Sequence, residues 1–514
     1  MSPPRRSNLV GQSANFAIQY NLSVLSVAVK FMTSHGDALI ADDDHVTQPD
    51  LPEPAWVGEI LLGMVFAGTI VGMTALGVLG DVRGRRTGML VSLALVMAGA
   101  LAGALLSWGP PERVYAVICA CRLLIGIGVG GMYPNGAALS AESAAEGESS
   151  AERVGWAFFW QTPGSFAPYI VAYALLLLPA STPALTSVQF RLLLAIGALP
   201  AAVVFIAVLR LPEPPRAVEG AGAEAGDEEG HDLAKLGVDG SGVAVNAAAG
   251  GGGEEGGGEG GGLAGLLRTI ARYPQHGRTL VGTASTWLLY DVNCYGTSIF
   301  TPVILGAIFT GKETLSSLLW QSLASSSFGL LGILAAIPSL KYFGGTWLSF
   351  WGFAMMGAFF AAFGVLFTLS PSGLVGAKFA VFCAMIFSQA WGCNLSTYVL
   401  PTQLFPREVR ATFHGLSAAS GKVGAVIGTF AFVPVKAAFG IPGVMWLQLA
   451  ICVAGALCTH FLLPDASPAA LERRAGGKGG HAAAIRFEGD EAAGAAGGDE
   501  DGDESEQSLI AGRR

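Results

Sequence analysis

Twelve long apolar runs dominate this chain, and they settle its physical environment before any motif is read. A segment needs about 20 mostly apolar residues to cross a hydrocarbon core of ~30 Å. Such segments lie near 12–33, 56–79, 87–108, 113–139, 153–179, 190–211, 279–307, 316–340, 346–369, 374–399, 411–435 and 441–463. Only 13% of the 514 residues are charged, against about 25% in ordinary soluble proteins. The chain therefore reads as an all-α polytopic membrane protein with the lipid bilayer as its first partner. The first run is the least clean, because Gln19, Asn21 and Lys30 interrupt it.

The net charge of −9 does not describe the membrane part. Acidic residues crowd into two Gly/Ala-rich stretches, roughly 219–259 and 488–506, whose apolar content is too low to fold alone. The expected organisation is a short N-terminus (1–11), a six-helix half (12–211), a disordered Gly/Glu-rich linker (212–275), a second six-helix half (276–463) and a disordered acidic tail (464–514). Twin halves with a central site between them are a recurring transporter plan. Lys and Arg gather at one set of span ends, among them Arg83, Arg85, Arg86, Arg210, Arg272, Lys341, Arg407, Arg410, Arg473 and Arg474. The opposite set carries little beyond Arg113, Arg191, Lys312 and Lys436. The positive-inside rule then places both termini and the linker in the cytoplasm. With no cleavable signal or transit peptide, the plasma membrane is the expected home, an intracellular membrane being the alternative.

Other function classes find no support in the sequence. The seven cysteines lie mostly inside apolar runs without metal-ligand spacing, so they read as small buried thiols. No metal site, no cofactor motif and no nucleophile–base constellation is visible, which argues against an enzyme. No basic patch calls for a nucleic acid. The glycine run 126–131 lies within a span, where close helix packing explains it better than nucleotide binding.

Against this apolar background one acid stands out. Asp291 lies inside the run 279–307, and a carboxylate at bilayer depth costs several kcal/mol by most estimates, so it usually faces a pathway or a partner. Trp287, Asp291 and Tyr295 fall at i, i+4 and i+8, one stripe of a helix. That stripe reads as part of a polar site in the membrane interior.

Two sets of strings carry a resemblance to known families. The loop Gly80-Asp81-Val82-Arg83-Gly84-Arg85-Arg86 resembles the signature loop of the major facilitator superfamily; its counterpart in the second half, Lys341-Tyr342-Phe343-Gly344-Gly345, is degenerate. The strings Gly126 to Pro134, Trp160 to Gly164, Trp287 to Gly296, Asn394 to Pro406 and His414 to Lys422 together resemble the phosphate:proton symporter family. The resemblance implies the major facilitator fold of twelve transmembrane helices and secondary transport of inorganic phosphate by alternating access. Carried over residue by residue, it implies a substrate site of Tyr133, Gln161, Trp287, Asp291, Tyr295, Asn394 and Lys422. It also suggests a cytoplasmic gate of Asp81, Arg85, Arg86, Glu142, Arg153 and Arg410.

The chemistry suits the implied ligand. Phosphate offers acceptor oxygens for phenol, indole, amide and ammonium donors, and dihydrogen phosphate has hydroxyls that a carboxylate can accept. Each residue also has a plainer reading. Tyr and Trp can be packing or interface anchors, Gln161 and Asn394 can bond neighbouring helices, and Asp291 with Lys422 can be a structural pair.

The chain departs from the family at acids tied to proton passage. Met132 stands where an aspartate is usual, Gln403 where a glutamate is, and the first and third spans lack their acids. Asp291 then becomes the expected proton carrier as well as a ligand: a bound monoanion favours its neutral form and a bare Lys422 its ionised form. Arg122, inside span four without an acid on its own helix, is either a cross-helix structural partner or a second element of proton coupling. Sodium-coupled or uncoupled phosphate transport, a carrier of another organic anion or phosphate ester, and a phosphate-sensing receptor without flux are the competing readings.

Overall fold

The computed structural model describes residues 3–33, 51–144, 149–176, 183–211, 270–309, 315–370 and 373–476. The two acidic stretches and most of the linker lie outside them. The described residues are almost entirely helical, as they must be where no water is present to satisfy backbone N–H and C=O groups. The first half comprises α1 (Pro3–Thr33), α2 (Val57–Arg83), α3 (Arg85–Leu106), α4 (Pro111–Glu142), α5 (Ser150–Phe159), α6 (Gln161–Leu176), α7 (Pro183–Ile196) and α8 (Ala198–Leu209). The second comprises α9 (Gly277–Ile308), α10 (Leu315–Phe343), α11 (Gly345–Leu369), α12 (Val375–Gln389), a π-helical turn (Ala390–Asn394), α13 (Leu395–Leu404) and α14 (Arg410–Leu462); α15 (Pro468–Gly476) follows.

These helices account for the twelve expected segments once their interruptions are explained. Pro163 and Pro200 have no N–H to offer the carbonyls of Phe159 and Ile196, so the fifth segment breaks between α5 and α6 and the sixth between α7 and α8. The eleventh and twelfth segments run together as α14, which turns at Gly440 (φ +66°). The chain then doubles back along α9: Gly424 and Gly428 press on Leu288 and Val292, whereas Gln448 bonds Asn293 and Thr297 and Leu462 returns to Gly282.

Several expected boundaries move. Within the short N-terminus expected over 1–11, α1 already begins at Pro3. The last residues assigned to the linker are ordered: Ile270 and Tyr273 pack on Phe405, Val409 and Phe413. The first residues assigned to the tail form α15.

Seven helical stretches among the described residues are long and apolar enough to cross a membrane by composition alone. The runs containing α1 and α9 fall short of that test. Asn15, Gln19 and Asn21 interrupt the first, and Asp291, Asn293 and a series of threonines the second. The helices least apolar by composition are therefore among those that carry internal polar groups.

Small residues set the packing. Gly68 and Gly72 of α2 interlock with Gly126 and Gly130 of α4; a Cβ on Gly72 would lie 2.0 Å from the Ile127 carbonyl oxygen, and one on Gly130 2.4 Å from that of Thr69. Such close backbone approach is how helices gain dispersion energy where lipid removes the hydrophobic drive. The α2–α3 and α10–α11 links are each a single residue, Gly84 (φ +95°) and Gly344 (φ +82°). The degenerate second loop thus keeps the one residue its geometry requires.

Overpacking the α2–α4 seam should be costly. Gly130→Ala is expected to destabilise the purified protein by about 1–3 kcal/mol, read as a lower Tm in detergent. Gly63→Ala, whose new methyl would meet nothing within 4 Å, is expected to leave Tm unchanged or raise it.

Candidate substrate site

The site is built on the α9–α14 seam. Gly421, Gly424 and Gly428 lie at i, i+3 and i+7 on α14, and Cβ atoms there would fall 2.4 Å from Trp287 Cδ1, 2.2 Å from the Leu288 oxygen and 2.3 Å from the Val292 oxygen. At Gly424 and Gly428 no side chain separates the two backbones, and at Gly421 the Trp287 ring fills the space a side chain would take. Lys422, next to the first of these glycines, is thereby brought onto Asp291 one turn beyond Trp287. Its Nζ donates to Asp291 Oδ2 at 3.1 Å and to the Tyr295 hydroxyl at 2.9 Å. Asp291 is 3% exposed and Lys422 5%. Two unit charges at this separation attract by about 5 kcal/mol at an effective dielectric of about 20, so neither is tolerable here without the other or a replacement.

The pair opens on a cavity of about 270 Å³ between the halves. Tyr133, Gln161, Trp287, Asp291, Tyr295, Asn394 and Lys422 all line it. Each is delivered by a local feature. Tyr133 precedes the helix-interior Pro134 of α4, Gln161 opens α6 just after the Pro163-imposed break, and Asn394 closes the π-helical turn. Insertions of that kind rotate the following residues and are frequent at functional sites.

Sequence reasoning missed part of the lining. Thr162 and Ser165 add hydroxyls from α6, Tyr290, Cys294 and Ser298 widen the α9 stripe, and Gln19 reaches in from α1. The α9 additions lie at i+3 and i+7 from Trp287 and Asp291, which a full helical face rather than a single i+4 line would have included. Asn15, outside the lining, accepts a bond from Gln161 Nε2 at 2.9 Å; nothing in the sequence marks it.

A second cluster closes the halves at the end carrying the α2–α3 loop. Glu142 of α4 accepts from Arg85 Nη2 (3.0 Å) and Arg410 Nη1 (3.1 Å) and pairs with Arg407 Nε (3.6 Å). Asp81 pairs with Arg85 and also accepts from the backbone N–H groups of Ala411 (3.2 Å) and Thr412 (2.6 Å). It therefore caps the first turn of α14, where an anion also meets the positive end of the helix dipole. Arg85 additionally donates to the Arg407 carbonyl at 2.6 Å. Asp81, Arg85, Glu142 and Arg410 thus meet, joined by Arg407. Arg86 instead donates to the Leu209 carbonyl at 2.8 Å, and Arg153 is buried on the first turn of α5.

Arg122 does not line the cavity. It is 1% exposed and donates to the backbone carbonyls of Asn21 (2.5 Å) and Leu22 (3.4 Å), tying α4 to α1. Met132 is fully buried in an apolar core cluster to which both halves contribute.

Two helical halves around a central cavity lined in part by polar groups, latched at one end by ion pairs, have the form of a membrane carrier of the major facilitator superfamily. Comparison with solved structures agrees on the fold. The proton:xylose symporter XylE bound to 6-bromo-6-deoxy-D-glucose superposes with a TM-score of 0.67 at 16% identity, covering 92% of this chain and 99% of that one. A bacterial homologue of the iron transporter ferroportin in an outward-facing state gives 0.61 at 12% identity, covering 90% and 99%. Within the superfamily, the chain belongs to the sugar (and other) transporter family, which it matches over residues 8–473. It is therefore a transporter and not an enzyme. Among its relatives is the inorganic phosphate transporter PT2 of Toxoplasma gondii, 33% identical over 465 residues, spanning 89% of this chain and 72% of that protein. Another is the probable inorganic phosphate transporter 1-6 of Arabidopsis thaliana, 26% identical over 487 residues and covering 90% and 91%.

Removing one partner from a buried ion network leaves the others uncompensated, at a cost of about 3–5 kcal/mol. Glu142→Gln is expected to shift the protein toward a form whose halves are parted at the α2–α3 end. Spin labels at Arg83→Cys and Glu408→Cys, both exposed in the native protein, would report a longer mean separation; an unchanged distribution would mean that Glu142 does not hold the latch.

Proposed function

We propose that this carrier moves inorganic phosphate, as dihydrogen phosphate with a proton, by rocking its halves about the central cavity. The observation that carries the proposal is a buried Lys422–Asp291 pair opening onto a small cavity rich in neutral donors. A cavity of about 270 Å³, near the lower end of the roughly 300–1,000 Å³ typical for drug-sized ligands, has room for a compact oxyanion. The names of the two relatives support the same substrate.

The charge balance supplies the mechanism. In the empty site Asp291 and Lys422 neutralise one another. A monoanion entering beside Lys422 makes the site net negative by one charge, and a proton on Asp291 restores neutrality. Tyr295, held on Lys422, and the donors of Tyr133, Gln161, Trp287 and Asn394 would take the phosphate oxygens; neutral Asp291 gains a hydroxyl to donate. Loss of the anion re-forms the pair and expels the proton, so the return of the empty carrier moves no net charge through its core. Tyr133, Gln161, Trp287, Asp291, Tyr295, Asn394 and Lys422 are thus the substrate ligands, with Asp291 the proton carrier. The backbone bonds of Arg122 favour a role in anchoring α1 over one in coupling. The proposed gate is Asp81, Arg85, Arg86, Glu142, Arg153 and Arg410, to which the ion-pair cluster adds Arg407. The Lys and Arg distribution puts that gate in the cytoplasm with both termini, and the plasma membrane is the proposed location.

Uptake of labelled phosphate into proteoliposomes tests this reading. An inward proton gradient should stimulate uptake, a sodium gradient should not, and unlabelled phosphate should compete better than glycerophosphate, sulfate or sugars. Lys422→Gln should reduce uptake at least about a hundredfold, the loss of a buried charge-assisted contact worth roughly 3 kcal/mol. Asp291→Asn should abolish the response to the proton gradient. Stimulation that survives in Asp291→Asn would remove the single-carboxyl mechanism; binding without flux would identify a receptor instead.

A further inference from the structure

Between the cavity and the ion-pair latch stands a layer of uncharged groups, part of which it shares with the cavity lining. At its centre is Tyr398, fully buried, one turn of α13 past Asn394 on the way to Arg407. Its ring comes from the second half, yet it packs on Phe158 (4.7 Å between centroids) and Tyr133 (6.0 Å) of the first. On its other sides lie His414 (5.2 Å) and Trp287 (6.4 Å). The Tyr398 hydroxyl accepts from Asn15 Nδ2 of α1 at 3.5 Å, a long contact across the two halves.

Asn15 is 1% exposed and connects three parts of the protein. Nδ2 also donates to the Gly11 carbonyl at 3.0 Å, while Oδ1 accepts from Gln161 Nε2 at 2.9 Å. One carboxamide therefore touches the backbone of α1, an amide that lines the cavity, and the tyrosine of the opposing half. Asn15 and Tyr398 themselves do not line the cavity.

We infer that Gln161, Asn15 and Tyr398 form a relay that reports cavity occupancy to the contact between the halves, with the Tyr398 ring as an uncharged inner gate. The inference rests on the phosphate reading of the cavity. An anion competes for the N–H groups of Gln161, and charge-assisted bonds are the stronger ones. When the Gln161 carboxamide swings as a whole to meet the anion, it gives up both its bond to the Tyr133 hydroxyl and its bond to Asn15 Oδ1, and a buried acceptor without a partner is costly enough to drive rearrangement. The carboxamide is a rigid plane, so Oδ1 cannot seek a new donor without moving Nδ2. The Gly11 carbonyl can keep one N–H, and the bond given up is the long one to Tyr398. The ring is then free to withdraw from Phe158 and Tyr133, which unlocks the path toward the latch. Asn15 and Tyr398 are positioning residues in this scheme; only Gln161 meets the substrate.

The test combines equilibrium binding of radiolabelled inorganic phosphate with the distance between spin labels at Arg83→Cys and Glu408→Cys. In the otherwise unaltered protein, phosphate should shift the distance distribution toward parted halves. Tyr398→Phe, which keeps the ring, and Asn15→Ala should each bind phosphate within about threefold of that protein while the phosphate-dependent shift falls at least about fivefold, the low end of measured coupling between sites. Variants that respond to phosphate as the parent does overturn the relay. So does a parent that binds phosphate with no change in label distance. A parent that binds no phosphate overturns the reading of the cavity, and the relay with it.

Discussion

The contact on which the rest depends is the ion pair between Lys422 and Asp291. Neither charge is tolerable alone when so deeply buried, and the pair forms where two helix backbones touch at Gly424 and Gly428 and Gly421 makes room for the Trp287 ring. Burial raises the cost of each charge, and the same low dielectric strengthens their attraction. A buried pair of this kind is a poor source of stability, since desolvation cancels much of its Coulomb gain. It is well suited to exchange, because an incoming anion and a proton can replace the partner that each charge loses.

The two ends of the central axis use different chemistry. The latch at Glu142 is a charged network that crosses between the halves and borrows the first turn of α14 as a further partner for Asp81. The layer around Tyr398 is uncharged and held by ring packing and a single long hydrogen bond. On the proposed mechanism, the strong outer contact would resist opening in the absence of a stimulus, and the weak inner one would be cheap enough for one bound anion to disturb.

Much of this was legible in the chain. The helices follow from apolar length, and the breaks at Trp160 and Gly197 follow from Pro163 and Pro200. Asp291 was conspicuous because an acid has no reason to lie in lipid. Lys422 became its partner only through family resemblance, since 131 residues separate the two and no local pattern joins them. Asn15 and Tyr398 went unremarked, and Arg407 counted only as one more arginine at a span end, for a physical reason: each is unexceptional until the residue opposite is known. The ends of the chain segments misled in the other direction. Pro3, Ile270 and Pro468 lie outside the twelve apolar runs, yet they belong to helices or packed contacts that composition does not foresee.

The sequence by itself determined the environment, the helical secondary structure and the kind of chemistry available, because lipid forbids an unsatisfied backbone and tolerates few charges. Tertiary structure decided which of those charges meet. The glycine seams set how near two helices approach, the proline breaks and the π-helical turn set which way Gln161 and Asn394 face, and the crossing of the halves placed Tyr398 against Asn15. Those are relations between residues far apart in the chain, fixed by packing geometry, and no residue carries them alone.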